Sequence, residues 1–298
     1  MNRRDFLRSS LGCAALGATA RAAVAPPTRA SLAGEIGITT GSFMRHLSPE
    51  RAEGKLRLLD LPKIMRDELD MKVIDLMTAT LVSLEPVYLD RLRAAAVDAG
   101  RTLTNLKINF SHVDLGSADA AARRHAVAEV KGALDAAARL GVRWVRPLPG
   151  VKRADLAAVA ESYRELVGYG GERGLIVLVE NIGWMKDDAD GVPDLIRAVG
   201  PALRAQPDTG NWSDAVRYNG LAKAFPLAAS CDFKALELGP DGAHAAYDLR
   251  RCFQIGWDAG FRGPWAIEHF HADLRQLLRE MGMLRDLLRN WDRAQTRI

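Results

Sequence analysis

The chain has 298 residues, 48% of them hydrophobic and 26% charged, a composition that predicts a soluble globular protein. No apolar run reaches the roughly 20 residues that a membrane span needs, so the sequence does not favour an integral membrane protein. The formal net charge is +4, but the first 24 residues carry +3 of it. The remainder therefore has no basic excess that would indicate a nucleic-acid partner.

The N-terminus has the pattern of an export signal. Residues 3–8 read RRDFLR, which resembles the bacterial twin-arginine motif, and a mildly apolar stretch with small-residue cleavage sites follows. This predicts a signal peptide over 1–24, a linker over 25–34 and a periplasmic or secreted protein. Cys13 lies inside the apolar stretch in a poor lipobox, so no stable membrane anchor is expected.

From residue 35 onward, short apolar runs alternate with helical patterns. The predicted strands are 36–38, 72–76, 106–110, 142–145, 175–181, 203–207, 228–236 and 265–267. The predicted helices are 61–69, 87–99, 118–140, 154–169, 192–199, 221–224, 247–259 and 273–291. Eight such pairs with right-handed crossovers predict an α/β fold, a single-domain (β/α)8 TIM barrel over 35–298. An open doubly wound sheet is the alternative, and the lack of a GxGxxG after the first strand argues against it.

The fifth strand carries the first candidate for chemistry. Residues 175–181 read LIVLVEN, so an apolar run suited to a strand covered on both faces ends on Glu180. The carboxyl ends of parallel strands are where α/β barrels place their active sites. Counting back by twos predicts that Leu178 and Ile176 also point into the barrel. A structural ion pair of Glu180 is the alternative.

Three later strands end in the same way, with Asp208, Asp232 and Glu268. Alternation puts Asp232 and Lys234 on one polar face, while His269 has the opposite parity to Glu268 and is not expected to point inward. Structural alternatives are an Asx turn at Asp208 and a satisfied Asp232–Lys234 pair.

Like charges at one rim are costly unless a cation lies between them. The oxygen-rich set favours Mn²⁺ or Mg²⁺ as the cofactor. Four carboxylates exceed the charge of one such ion, so Lys234 or Arg146 should lie close, and Asp232 is the first ligand we would remove from the set.

These motifs resemble those of the xylose-isomerase-like barrel family, most specifically at VEN over 179–181, DTGN over 208–211, DFK over 232–234 and IE over 267–268. The resemblance implies that Glu180, Asp208 and Glu268 are metal ligands. Asp232 stands where the family's seventh strand usually has His. Two further departures are Asn211, where epimerases often have His, and Ile182, where His usually follows Glu-Asn.

The resemblance also implies a function, a metal-dependent sugar isomerase or epimerase acting by proton transfer next to a carbonyl. A divalent ion would stabilise the enediolate, with Glu180 and Glu268 removing and returning the proton. Candidate substrate-contacting residues are His112, Arg146, Asn181, Trp184, Asn211 and Lys234, and Trp212 is a further stacking candidate. The export signal and the lack of a Gly-rich phosphate loop favour an unphosphorylated sugar or sugar derivative.

Two other functions remain open. A lyase or hydrolase acting on an oxidised sugar would share the first proton abstraction, so product analysis is needed to separate the two outcomes. A non-catalytic sugar-binding barrel is the other, and the missing His at position 232 is its best support. The protein could form a homo-oligomer. Cys231 and Cys252 could form one disulfide or remain two buried thiols.

Overall fold

The computed structural model describes residues 30–150, 152–239 and 242–296, so the predicted signal peptide and Cys13 lie outside the described residues. Within the compact unit Ser31–Ile298, strands and helices alternate along the chain. The strands are β1 (Ile36–Thr39), β2 (Val73–Met77), β3 (Thr102–Ile108), β4 (Trp144–Pro147), β5 (Ile176–Val179), β6 (Arg204–Ala205), β7 (Cys231–Lys234) and β8 (Trp265–Glu268). The α-helices are α1 (Leu61–Asp67), α2 (Pro86–Asp98), α3 (Ala120–Leu140), α4 (Leu156–Gly171), α5 (Gly191–Val199), α6 (Arg217–Ala224), α7 (Leu249–Asp258) and α8 (Leu274–Thr296).

The eight strands form one parallel sheet in the order β6-β5-β4-β3-β2-β1-β8-β7. Its two edges meet through backbone contacts beyond the short strand β6, because bridges join Ala205 to Ala228 and Asp208 to Asp232. Asp232 also donates its backbone N–H to Pro207 O over 2.9 Å. The predicted (β/α)8 barrel is therefore confirmed, and its closure brings the ends of β6 and β7 together.

The predicted element order matches the observed one, with one displaced strand. β3 begins at Thr102, four residues before the predicted start, and its register against β2 shifts between Ile74 and Asp75. A bulge of this kind inserts one extra residue and re-aims its neighbours. As a result the successive residues Thr104 and Asn105 both reach Asp75.

The apolar core has two parts. The larger lies between the helices and the outward side chains of the strands, and the smaller contains Leu32, Val73, Trp144 and Leu178. Val73, Trp144 and Leu178 share the inward parity of their strands, so this cluster fills the lower interior of the barrel. Leu178 thus points inward as predicted. The prediction that Ile176 also lies inside the barrel is wrong, because its side chain is 42% exposed at the start of β5.

Helix ends follow ordinary capping chemistry. The side chains of Asp119, Asp155 and Asp248 accept hydrogen bonds from backbone N–H groups in the first turns of α3, α4 and α7. α3 ends at Gly141, which has the left-handed φ of 76° that favours glycine at a helix end. Among the described residues, no helix has the length and apolar character required to cross a membrane.

Candidate metal and active site

Three buried carboxylates converge where β5, β6 and β7 end. Glu180, Asp208 and Asp232 each offer one oxygen within 4.8 Å of the other two. They follow from neighbouring strands of the closed barrel, so the topology itself brings the like charges together. All three side chains are nearly or fully inaccessible to solvent. Isolated buried carboxylates are costly, and the site must therefore supply positive charge or donors.

Asp208 is fixed by the backbone around it. Its Oδ1 accepts from the N–H groups of Gly210 at 2.7 Å and Asn211 at 3.0 Å, which is the expected Asx turn. The amide of Asn181 holds the Asp208 main chain, since Nδ2 donates to Asp208 O and Oδ1 accepts from Asp208 N. Asp208 Oδ2 faces Lys234 Nζ at 3.3 Å. The turn and the candidate site thus use different atoms of one residue.

The two carboxylate oxygens of Glu180 have different surroundings, because one accepts a hydrogen bond from a described residue and the other does not. Asn211 Nδ2 donates to Oε1 over 2.7 Å. Arg146 Nε lies 2.8 Å from Oε2, but its N–H is not directed at that oxygen, and Oε2 accepts no hydrogen bond from any described residue. The guanidinium therefore supplies charge to Glu180 without occupying the Oε2 lone pairs.

Asp232 repeats this division of its two oxygens. Lys107 Nζ donates to Oδ1 over 2.6 Å, and Gln206 Nε2 donates to the same atom over 3.2 Å. Oδ2 is buried and has no hydrogen-bond partner in the described part of the chain. Asp232 therefore belongs to the converging group, although the sequence analysis ranked it as the first ligand to remove from the predicted set.

Glu268 is connected to the group through lysines. Lys234 Nζ lies 2.6 Å from Glu268 Oε1 and also donates to Asn211 Oδ1 over 2.9 Å. Lys107 Nζ lies 3.9 Å from Glu268 Oε2. The stem of Lys234 passes over Gly210, where a Cβ would lie 2.6 Å from its Cδ, so the glycine makes room for this lysine.

The protonation tendencies follow from burial and from these neighbours. Burial raises the pKa of Asp208 to about 6, with Lys234 opposing the rise and Glu268 and Glu180 adding to it. Burial also raises the pKa of Asp232 well above its ordinary value, against the opposing effect of Lys107. Burial acts in the same direction on Glu268, but Lys234 and Lys107 outweigh it and lower its pKa. Burial therefore outweighs the neighbouring lysines at Asp208 and Asp232, whereas the lysines outweigh burial at Glu268.

These residues fit a divalent cation. Among the described residues, none donates a hydrogen bond to the buried oxygens Glu180 Oε2 and Asp232 Oδ2, although Arg146 Nε lies 2.8 Å from Glu180 Oε2. Both belong to carboxylates whose other oxygen is held by donors. Such outer donors orient a ligand and leave one atom for the metal. Glu180, Asp208 and Asp232 would hold the ion, and the all-oxygen donor set suits Mg²⁺ or Mn²⁺.

Several residues singled out from the sequence lie elsewhere or have structural roles. His112 is exposed and pairs with Glu129, whereas Trp212 is 1% exposed in the core against Gly220 and offers no face for a sugar. Trp184 is only partly buried, and the Arg153 guanidinium lies 5.2 Å from its ring centroid. Asn181 uses its amide on Asp208. The prediction that Trp212 is a stacking platform is therefore wrong.

The histidines that follow β8, and the cysteines of β7 and α7, have contacts outside the carboxylate group. His269 points outward as predicted and lies 2.7 Å from Glu280 of α8, and His271 contacts the backbone of Asp273. Cys231 and Cys252 are buried free thiols, so the disulfide left open by the sequence is not formed.

A buried polar layer under the carboxylates was missed by the sequence interpretation. Asn105 Nδ2 donates to Gln206 Oε1 over 2.9 Å, and Gln206 Nε2 lies 3.2 Å from both Asp75 Oδ2 and Asp232 Oδ1. The signal in the sequence was the alternation of Asn105 and Lys107 with leucine and isoleucine, which parity places on the inward face. Burial raises the pKa of Asp75, and Lys107 opposes that rise.

The mouth beside β7 and β8 has an apolar wall. A cavity of about 580 Å³ is lined by Leu236, Glu237, Ala245, Ala246 and Phe270. Leu236 and Phe270 are 42% and 48% exposed and lie two residues beyond Lys234 and Glu268. Both residues follow the carboxyl ends of β7 and β8, so apolar side chains lie at the end of the barrel that holds the carboxylates.

Comparison with known proteins gives the family. The model of the xylose isomerase-like TIM barrel family matches residues 67–287, and the chain belongs to that family. No curated protein matches the sequence significantly.

Solved structures share the fold at low sequence identity. A D-psicose 3-epimerase with D-tagatose from Clostridium cellulolyticum H10 has a TM-score of 0.68 at 18% identity, covering 86% of this chain and 98% of that one. An L-ribulose 3-epimerase has a TM-score of 0.69 at 14% identity, covering 89% and 97%. A xylose isomerase-like TIM barrel protein from Mycobacterium smegmatis in complex with magnesium has a TM-score of 0.63 at 18% identity, covering 87% and 96%.

Proposed function

We propose that this protein is a metal-dependent isomerase or epimerase that moves a proton next to the carbonyl of an unphosphorylated sugar or sugar derivative. The observation that carries the proposal is the convergence of Glu180, Asp208 and Asp232, two of whose buried oxygens accept no hydrogen bond from the residues that the structure describes. Family membership supports the reaction class. Two structural neighbours are described as sugar 3-epimerases and a third as a magnesium complex. These descriptions support a sugar substrate and a bound divalent metal for the proposed reaction.

A bound Mg²⁺ or Mn²⁺ would supply Lewis-acid polarisation of the substrate carbonyl. Glu268 is the proposed proton acceptor, and it is ionised because Lys234 and Lys107 lower its pKa. Glu180 approaches from β5 and is the second acid–base residue. Lys234 and Arg146 bring positive charge to the oxygens of the substrate, and Asn211 fixes the Glu180 side chain. General acid–base help of this kind is worth roughly 10²–10⁴-fold in rate.

The test compares Glu180→Gln and Glu268→Gln with the wild type on a panel of ketoses, aldoses and their oxidised derivatives. Each substitution keeps the side-chain shape and removes the proton-accepting charge. Both variants should fold normally and lose metal-dependent turnover by at least about 10²-fold. Near wild-type turnover in either variant contradicts the two-base scheme. Product analysis on the same panel separates isomerisation from elimination or hydrolysis.

We also propose export to the periplasm, supported by the RRDFLR motif and the small residues that follow the apolar stretch. Fusing residues 1–34 to a reporter that is active only after export tests this directly. Replacing Arg3 and Arg4 by lysine should abolish reporter export. Unchanged export of the double-lysine fusion would remove the basis for a twin-arginine route.

A further inference from the structure

Lys107 is a buried cation with a single close partner. It extends from β3 into the barrel, is 1% exposed, and among the described residues its Nζ donates a hydrogen bond only to Asp232. Glu268 is the next carboxylate, at 3.9 Å. Burial of an unpaired ammonium group is costly. Lys107 is therefore tied energetically to the negative charge at position 232.

The contact divides the two oxygens of Asp232 between different tasks. Oδ1 accepts from Lys107 and Gln206, while Oδ2 accepts no hydrogen bond from any residue in the described ranges. A carboxylate free to rotate could offer both oxygens to a cation and would bring a full negative charge. Held in this way, Asp232 offers one atom, and the lysine cancels its charge.

We propose that Lys107 is the charge-compensating partner that makes Asp232 equivalent to a neutral, one-donor metal ligand such as histidine. The inference rests on the proposed metal site and adds to it a reason why an aspartate stands where the resemblance expects a histidine. Lys107 acts through Asp232 and is a positioning residue of the metal site.

The charges of the site agree with this role. When all four carboxylates are ionised, as ligation of a metal requires, Glu180, Asp208, Asp232 and Glu268 supply four negative charges. Lys107, Arg146 and Lys234 supply three positive charges, which leaves −1. A site with a neutral histidine at 232 and no lysine at 107 would also carry −1. A histidine beside an intact Lys107 would carry 0, and an aspartate without Lys107 would carry −2.

The experiment measures Mn²⁺ affinity by calorimetry for the wild type, Lys107→Met, Asp232→His and the double variant. More negative sites attract a divalent ion more strongly. Lys107→Met, with a site charge of −2, should bind about tenfold tighter than the wild type, and Asp232→His, with a site charge of 0, should bind about tenfold weaker. The double variant should return to within a few-fold of the wild type, an order-of-magnitude expectation from its equal charge.

Stability without added metal is the second readout. Each single variant leaves one buried charge uncompensated and should lower the thermal midpoint, whereas the double variant should recover most of that loss. Lys131→Met is the matched control, because Lys131 pairs with Glu165 on the outer helices. This control should leave Mn²⁺ affinity unchanged. If the double variant does not fold, the Mn²⁺ affinity of Lys107→Met relative to the wild type still tests the compensating role of Lys107.

The contradicting outcomes are separable. If the wild type binds Mn²⁺ and Asp232→His binds it equally well or more tightly, the compensating role of Lys107 is overturned and the metal site is not. An unchanged affinity in Lys107→Met does the same. A wild type that binds no Mn²⁺ overturns the metal site of the proposed function, and this inference with it.

Discussion

Asn181 shows how one residue can be conspicuous in a motif and act on the site indirectly. It follows Glu180, and the sequence interpretation made it a substrate contact. In the structure its side chain is inaccessible, and both ends of the amide bind the main chain of Asp208. The VEN motif thus provides one metal-ligand candidate and the clamp that positions the next.

Replacing Asn181 by alanine should therefore weaken metal binding without removing any ligand. The substitution leaves Asp208 N–H and C=O buried without these partners, at a cost of about 1–3 kcal/mol per lost interaction in unfolding free energy. Mn²⁺ affinity should fall by roughly 10-fold, as for other outer-shell partners. Denaturant titration and calorimetry measure the two effects. An unchanged affinity would show that Asp208 keeps its position without the clamp.

At the residue scale, sequence reasoning identified the four acids, Lys234 and Arg146, because strand ends and side-chain parity are local properties. It missed Lys107 and Gln206, whose importance depends on what lies across the barrel. Trp212 shows the opposite error. Trp212 directly follows the DTGN motif, so it was predicted to lie in a loop at the barrel mouth. In the structure its ring fills a space in the core that Gly220 leaves open. Tertiary packing of this kind has no local signature.

At the scale of elements, α8 is attached to β8 by a buried polar pair. His269 Nδ1 lies 3.0 Å from the Ala235 carbonyl and Nε2 lies 2.7 Å from Glu280 Oε2, so both ring nitrogens face acceptors. Gln276 donates to the other oxygen of Glu280. Burial raises the pKa of Glu280, but the hydrogen bonds from His269 and Gln276 outweigh it and lower the pKa below its ordinary value.

Because the folded-state pKa of Glu280 is lowered, its stabilisation is present above the unfolded pKa of about 4.3 and is lost as pH falls through the folded value. Glu280→Gln should therefore destabilise the protein by about 1–3 kcal/mol at pH 7 and by less below about pH 4. Unfolding by urea at both pH values measures the difference. A destabilisation that does not shrink on acidification contradicts an ionised Glu280.

The approach of β1 to β2 depends on a missing side chain. A Cβ at Gly37 would lie 1.9 Å from the Val73 carbonyl oxygen, a contact that only a backbone shift could relieve. Gly37→Ala should destabilise the barrel by about 1–3 kcal/mol or more. Gly132→Ala is the matched control in α3, where nothing lies within 4 Å, and it should stabilise by about 0.5–1 kcal/mol. Equal effects of the two substitutions would contradict this packing.

The element order was predictable because apolar runs, helix caps and glycine stops repeat along the chain. The boundaries of the strands were less predictable from the sequence than the order of the elements. β3 begins four residues before the predicted start. A bulge between Ile74 and Asp75 also brings both Thr104 and Asn105 to Asp75, and a pairing irregularity between distant segments leaves no signal in the local sequence. β6 is reduced to Arg204–Ala205, but its continuation still carries Asp208 into the site through the bridge to Asp232.

At the scale of the whole molecule, the barrel gathers charges that no single element could bring together. β3 supplies Lys107, β4 supplies Arg146, and the last four strands supply the carboxylates and Lys234. The interior changes from an apolar lower layer to an amide and carboxyl layer and then to this charged upper layer. This gradient places the chemistry at the carboxyl end of the barrel.

The central claim is that these carboxylates share one divalent cation. Crystals of the wild type grown without chelators and soaked in Mn²⁺ test it directly through anomalous diffraction. The account predicts one peak, with one oxygen each of Glu180, Asp208 and Asp232 at coordination distance, about 2.0–2.6 Å. Soaked crystals with no peak there, and with the carboxylates still paired to Lys107, Arg146 and Lys234, would contradict it.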